Sequence, residues 1–142
     1  MIALSSDHAG FPLKEEIKKY LDDKGIAYKD CGAYSTDSVD YPYQAKKACD
    51  LVIAGECDKA ILCCGTGVGI SIAANKVKGI RCGLCTSVEM AHLTKEHNNA
   101  NILALGGRTT EPELAYAIVD EWLDTEFAGG RHKRRTDMLD EM

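Results

Sequence analysis

The strongest constraint on this chain is its rhythm. Short runs of β-forming residues alternate with segments of helical period from one end of the sequence to the other. "MIALSSD" (1–7), "IAYKDCG" (26–32), "KAILCCG" (59–65), "IRCGLC" (80–85) and "NILALGG" (101–107) read as strands. Between and after them lie "PLKEEIKKYLDDKG" (12–25), "YPYQAKKACDLVIAGE" (41–56), a short helix over about 68–76, "SVEMAHLTKEHN" (87–98) and "EPELAYAIVDEWLDTEF" (111–127). In the first of these helices Leu13, Ile17, Tyr20 and Leu21 share one face, and Gly25 stops it. Pro42 near the start of the second sits where a helix tolerates proline. A helix after every strand returns the chain to the same end of the sheet, so the strands run parallel and are covered on both faces. The expectation is an α/β, three-layer, doubly wound (Rossmann-like) domain with a five-stranded parallel sheet and a C-terminal helical tail. Its 142 residues, 45% of them hydrophobic, suit one domain over 1–142 with no linker or repeat.

That architecture says where to look for function. In open parallel sheets ligands bind beyond the carboxyl ends of the strands. The segments there are "SDHAG" (6–10), "CGAYSTD" (31–37), "CGTGVG" (64–69), "TSVE" (86–89) and "GGRTT" (106–110), with Asp7, His8, Cys64, Thr66 and Arg108 as the chemically capable side chains.

The glycine loop is the densest signal. Gly65, Gly67 and Gly69 give G-x-G-x-G, not the dinucleotide G-x-G-x-x-G, and position 70 is Ile. The next strand ends in Thr86-Ser87, with no carboxylate for a ribose, and no Gly-Lys-Ser/Thr follows the glycines. What remains is a run of backbone N–H groups between a strand and a helix N-terminus, which binds anionic oxygen or charge that develops during a reaction. Cys64 opens this run, and N–H donors with a positive helix end favour a thiolate. Cys63 points the other way, into the core. The bland alternative is a tight turn flanked by two buried thiols.

Seven cysteines, an odd number in a core-forming chain, suggest free thiols rather than a disulfide framework. Cys82-Gly83-Leu84-Cys85 is the one Cys-x-x-Cys, but on a strand residues three apart face opposite ways, so no metal is expected there. His92 and His97 do not form an i, i+4 pair, and His92 reads as surface or structural. His97-Asn98 closes the fourth helix, where a histidine suits the dipole and an asparagine can cap. Asp7 can serve as a local turn or cap acceptor, although Pro12 suggests that the helix begins later.

A net charge of −5 argues against nucleic acid or a membrane surface as partner, and no apolar run approaches the ~20 residues of a membrane helix. No leader-like zone opens the sequence, so a cytoplasmic protein is expected. The exception in charge is "GGRHKRR" (129–135), where a helix would put Arg131 and Arg135 on one face, suited to a phosphate. After Gly129-Gly130 this tail, about 129–142, has the freedom to reach a partner subunit.

Taken together, "SDHAG", "DYP", "CGTGVGISIAANK", "GIR", "EHNNANILALGGR" and "GGRHKRR" resemble ribose-5-phosphate isomerase type B, a sugar-phosphate isomerase family that includes allose- and galactose-6-phosphate isomerases. The likeness runs nearly the whole chain in the same order. It implies aldose–ketose isomerisation without metal or organic cofactor. Cys64 falls on the family's general base; members lacking it use a later glutamate, and "GISIAANK" holds none. The resemblance makes His97 the ring-opening residue and Asn98, Asp7 and His8 substrate contacts. Gly65, Thr66, Gly67, Val68 and Gly69 become the oxyanion loop, with Thr66 orienting Cys64 or a substrate oxygen. Arg108, Arg131 and Arg135 fall on the phosphate side, and Tyr41 of "DYP" on the pocket wall. It also implies a homodimer, or a tetramer, with active sites between subunits. The competing expectations are an isomerase of six-carbon sugar phosphates or free aldoses, and a nucleotide-binding regulatory module.

Overall fold

The computed structural model describes residues 1–142. Five strands, β1 (Ile2–Ser6), β2 (Tyr28–Asp30), β3 (Lys59–Cys64), β4 (Cys82–Leu84) and β5 (Ile102–Gly106), form one all-parallel sheet in the order β2-β1-β3-β5-β4. Six helices accompany them: α1 (Phe11–Asp23), α2 (Tyr41–Ile53), α3 (Val68–Asn75), α4 (Val88–Glu96), α5 (Pro112–Asp124) and α6 (Arg131–Glu141). The doubly wound α/β architecture is the one the alternation demands.

The layers follow from the two-residue period of the central strands. Ile2, Leu4, Ile61, Cys63, Leu103 and Leu105 pack with Leu13, Ile17 and Leu21 of α1, Ala91 of α4 and Ile118, Val119 and Trp122 of α5. Ala3, Ala60, Leu62, Cys64, Ile102 and Ala104 face Ala45, Ala48 and Cys49 of α2 and Ile70 and Ala74 of α3. Both faces of β1, β3 and β5 are dry, which is why these strands read as continuous apolar runs. Burying one such aliphatic side chain contributes about 1.5–3 kcal/mol. Cys63 and Cys64 fall on opposite faces, as adjacent strand residues must, and so do Cys82 and Cys85.

The two edge strands are shorter than their sequences suggest, three residues each. Each has a neighbour on one side only, so its ends leave the ladder early. Helix α1 also departs from expectation, beginning at Phe11, before Pro12. Pro12 lies in the first turn, where its missing N–H costs nothing, and Asp7 Oδ1 accepts the Gly10 N–H at 2.9 Å just ahead of it. The chain leaves α4 through Asn99 at φ +46°, so the left-handed exit falls to Asn99 and not to Asn98.

The C-terminal tail folds back on its own domain. Arg81 Nη1 pairs with Asp140 at 2.7 Å, Thr136 is buried, and the His132 ring stacks on His97. No helix is long and apolar enough to cross a membrane.

Candidate active site

The chain runs from β1 outward to β2, then returns past β1 to β3. The carboxyl ends of β1 and β3 therefore part at a topological switch point, where an open α/β sheet forms its crevice. Asp7 and His8 follow β1 there, Cys64 to Gly69 follow β3, and Arg108 follows the neighbouring β5.

Glycines let these three loops touch. A Cβ on Gly10 would lie 2.2 Å from the Cys63 carbonyl oxygen, and one on Gly107 would lie 2.9 Å from the Ala9 oxygen. Bare backbone permits Gly107 N–H to donate to Cys64 O at 2.7 Å and Arg108 N–H to Gly65 O at 2.9 Å. The main chain around Cys64 is thus fixed from both neighbouring strands.

The collar of donors is present. Gly67 N–H points at Cys64 Sγ, 3.2 Å away, and Val68 N–H donates to Thr66 Oγ1 at 3.2 Å. The N–H groups of Gly65, Thr66, Gly69 and Ile70 find no acceptor within the chain. They are the unpaired donors of a strand end and a helix first turn, and they converge where the helix dipole is positive. Gly67 makes this geometry possible, since its φ is +80°. Cys64 is 5% exposed, so its sulfur sits at the rim of the apolar layer with a donor against it. Burial pushes Cys49 up to about 12 and Cys85 up to about 11, and raises Cys63 and Cys82 further, which leaves them inert at neutral pH.

On the β1 side, Asp7, His8, Asp40 and Tyr41 line a cleft of about 520 Å³. His8 Nδ1 accepts the Val39 N–H at 3.2 Å, so the neutral ring carries its proton on Nε2. Asp7 accepts from Gly10 through Oδ1, and its Oδ2 has no hydrogen-bond partner within the chain. The Tyr41 ring lies over Gly69, where a Cβ would come within 2.8 Å of it, so Tyr41 walls the glycine loop. Arg108 reaches the start of the loop, its Nη1 3.6 Å from a Cβ built on Gly65.

The remaining candidates are not here. His97 and Asn98 end α4 and precede β5, and α6 carries Arg131 and Arg135 beside them. This is the amino end of the sheet. From Ala60, opposite Ile102, to Cys64, opposite Gly106, is four residues, or about 13 Å of strand, and His97 lies further out still. The candidates therefore fall into two halves at opposite ends of one chain, one with Cys64, Thr66, Asp7, His8 and Arg108, the other with His97, Asn98, Arg131 and Arg135. Asp7 and His97 cannot meet on one sugar within a single chain.

Comparison with known proteins places this arrangement. A profile described as ribose/galactose isomerase matches residues 2–139. The chain belongs to the ribose/galactose isomerase family. Among its relatives is ribose-5-phosphate isomerase B of Escherichia coli strain K12, 46% identical over 97% of this chain and 93% of that protein. Solved structures agree: a ribose 5-phosphate isomerase from Thermotoga maritima (TM-score 0.98, 55% identity, 99% of this chain and 97% of that one) and ribose-5-phosphate isomerase B of Clostridium thermocellum (0.97, 51%, 99% and 95%).

Some residues in contact with the candidates or with their loops give no sign of it in the sequence. Lys14 is 1% exposed, its Nζ held by Asp30 Oδ1 at 2.6 Å and the Ala33 carbonyl at 2.5 Å. Ala33 N–H in turn bonds Ser6 O, so Lys14 ties the segment after β2 to the residue before Asp7. A lysine on a charged helix gives no warning of such burial. Neither does Glu96, whose carboxylate lies between His92 and His97, nor His132, stacked on His97 at 4.2 Å.

Proposed function

We propose that this chain is a ribose-5-phosphate isomerase, interconverting ribose 5-phosphate and ribulose 5-phosphate through an enediolate, with each active site built from two copies. The observation that carries the reading is Cys64 Sγ, with the Gly67 N–H against it, at the head of a loop where the N–H groups of Gly65, Thr66, Gly69 and Ile70 have no acceptor.

The cyclic aldose must open first. A proton goes to the ring oxygen, the C1–oxygen bond breaks, and the anomeric hydroxyl gives up its proton. His97 supplies the first proton, as a positioned general acid. Asp7 Oδ2 is free to take the second. Thiolate Cys64 then removes the proton from C2 and, as the O2 hydroxyl proton passes to O1, returns it to C1. Negative charge grows on the former carbonyl oxygen, where the loop donors receive it; one such donor is worth about 2.7–4 kcal/mol in the barrier. Thr66 Oγ1 already accepts from Val68, which leaves its hydroxyl proton to donate to a substrate oxygen. His8 Nε2–H donates from the opposite wall. Arg131 and Arg135, with Arg108, hold the phosphate, which does not react and serves to fix C1 and C2 against the sulfur.

Because the half-sites lie at opposite ends of one sheet, a second copy must bring its His97, Asn98, Arg131 and Arg135 to the first copy's Cys64. Helix α3 offers a surface for this: Val68 and Ile72, one turn apart, are exposed apolar side chains beside the glycine loop.

Deuterium incorporation tests the chemistry. In heavy water, ribose 5-phosphate is expected to give ribulose 5-phosphate labelled at C1 with metal chelated; allose 6-phosphate turned over at a higher kcat/KM would move the substrate to six carbons. Mixing tests the assembly. Cys64→Ala and His97→Asn homodimers are each expected to be inactive. After exchange of subunits, half the dimers are mixed and each has one intact site, so about a quarter of wild-type activity returns. No recovery after confirmed exchange would refute the shared site.

A further inference from the structure

His97 sits among cations. Its ring stacks on His132 at 4.2 Å and 10°, and His132 has Arg131 and Arg135 as electrostatic neighbours on α6. Burial, His97 and the two arginines all lower His132 from the ordinary histidine value. Positive charge thus crowds this corner of the molecule. One carboxylate opposes it. Glu96 Oε1 lies 3.4 Å from His97 Nε2, an ion-pair contact, while its Oε2 accepts from His92 Nε2 at 2.7 Å. His92 is in turn fixed through Nδ1 to Glu121 Oε1 at 2.9 Å and Thr125 Oγ1 at 3.2 Å on and after α5. Glu96 cannot swing away without losing the His92 bond, and His92 is anchored across to α5.

We infer that Glu96 is a positioning residue for the reaction: braced by His92 and Glu121, its carboxylate holds the His97 ring and keeps on it the proton that ring opening consumes. This rests on the proposed role of His97 and goes beyond it. The groups facing His97 are Glu96 and, behind it, His92 on α4, His132 with Arg131 and Arg135 on α6, and Glu121 on α5 behind His92. Glu96 is the one negative group in direct contact.

The test separates ring opening from proton transfer at carbon. Ribulose 5-phosphate cannot close a five-membered ring, because its 5-oxygen is esterified, so exchange of solvent deuterium into its C1 needs Cys64 and not His97. In Glu96→Gln, turnover of ribose 5-phosphate is expected to fall about tenfold, and the alkaline limb of its kcat/KM profile to move down by ~0.5–1 pH unit, the shift expected for losing a half-exposed charge pair. C1 exchange in ribulose 5-phosphate should stay within about twofold. Glu96→Asp should recover part of the loss, and Glu121→Gln should reproduce a smaller shift in the same direction. The inference is overturned if Glu96→Gln matches wild type, or if both reactions slow equally with the limb unmoved, which marks a structural role. His97→Asn is measured alongside: normal ribose 5-phosphate turnover in that variant rejects the role of His97 itself, whereas an inactive His97→Asn with an unaffected Glu96→Gln rejects only the inference.

Discussion

Replacing Gly67 by alanine links backbone geometry to catalysis in one substitution. At φ +80° an L-residue pays roughly 1–2 kcal/mol in steric strain. The new Cβ would stand 2.5 Å from Leu84 Cδ1 and 2.9 Å from the Leu105 carbonyl carbon. The leucine methyl can turn aside, but the β5 main chain is held in the sheet on both sides and cannot. Such overpacking adds about 1–3 kcal/mol, so the total loss is about 2–5 kcal/mol. The loop relieves the contact by moving away from β5, which carries the Gly67 N–H off Cys64 Sγ. Losing one donor of this kind slows turnover about 10²–10³-fold. Gly25→Ala is the control, because Gly25 has φ +68° but nothing within 4 Å of a built Cβ and lies far from the carboxyl ends of the strands. It should lose about 1 kcal/mol in urea unfolding and keep full turnover. Urea melts, isomerase assays on the folded fraction and the rate of Cys64 alkylation are the measurements. A folded Gly67→Ala protein with kcat within threefold of wild type would refute the claim that this glycine shapes the anion-binding loop.

Other outcomes follow from the same geometry. Cys64→Ala should abolish C1 deuterium exchange while leaving sugar-phosphate binding by calorimetry nearly intact, since the sulfur holds no phosphate. Arg131→Ala should raise KM at least tenfold and change kcat less, read from initial rates against ribose 5-phosphate. Lys14→Met should destabilise by about 1–3 kcal/mol in urea unfolding, because the Ala33 carbonyl is left without a donor and Asp30 keeps only Lys18 and the Gly32 N–H. His92 is raised above its unfolded value by Glu121 and Glu96, so its stabilising contribution is complete below about pH 6.5 and is lost as pH rises through the folded value. Thermal melts from pH 6 to 9 should show that decline in wild type and a flatter profile in His92→Ala.

Much of this was legible before any coordinates. The alternation of apolar runs and helical faces dictated a parallel sheet covered on both sides, because period-2 and period-3.6 patterns have few ways to bury each other. It also assigned Cys63 and Cys64 to opposite faces, since neighbouring strand residues cannot share one. The position of Cys64 before three alternating glycines was enough to suggest a thiol among backbone donors, and the Gly67 N–H lies against its sulfur. What the chain's order could not encode was distance between elements. Asp7, Cys64 and Arg108 meet because β1, β3 and β5 are neighbours, a fact of strand order. His97 lies at the far end of the sheet because α4 runs antiparallel to the strands, so the two halves of the site part company only once the layers are assembled. Lys14 and Glu96 look like ordinary charges on amphipathic helices; packing against Asp30 in one case and between two imidazoles in the other gave them their roles, because a charge acquires its partners from the fold and not from its neighbours in sequence.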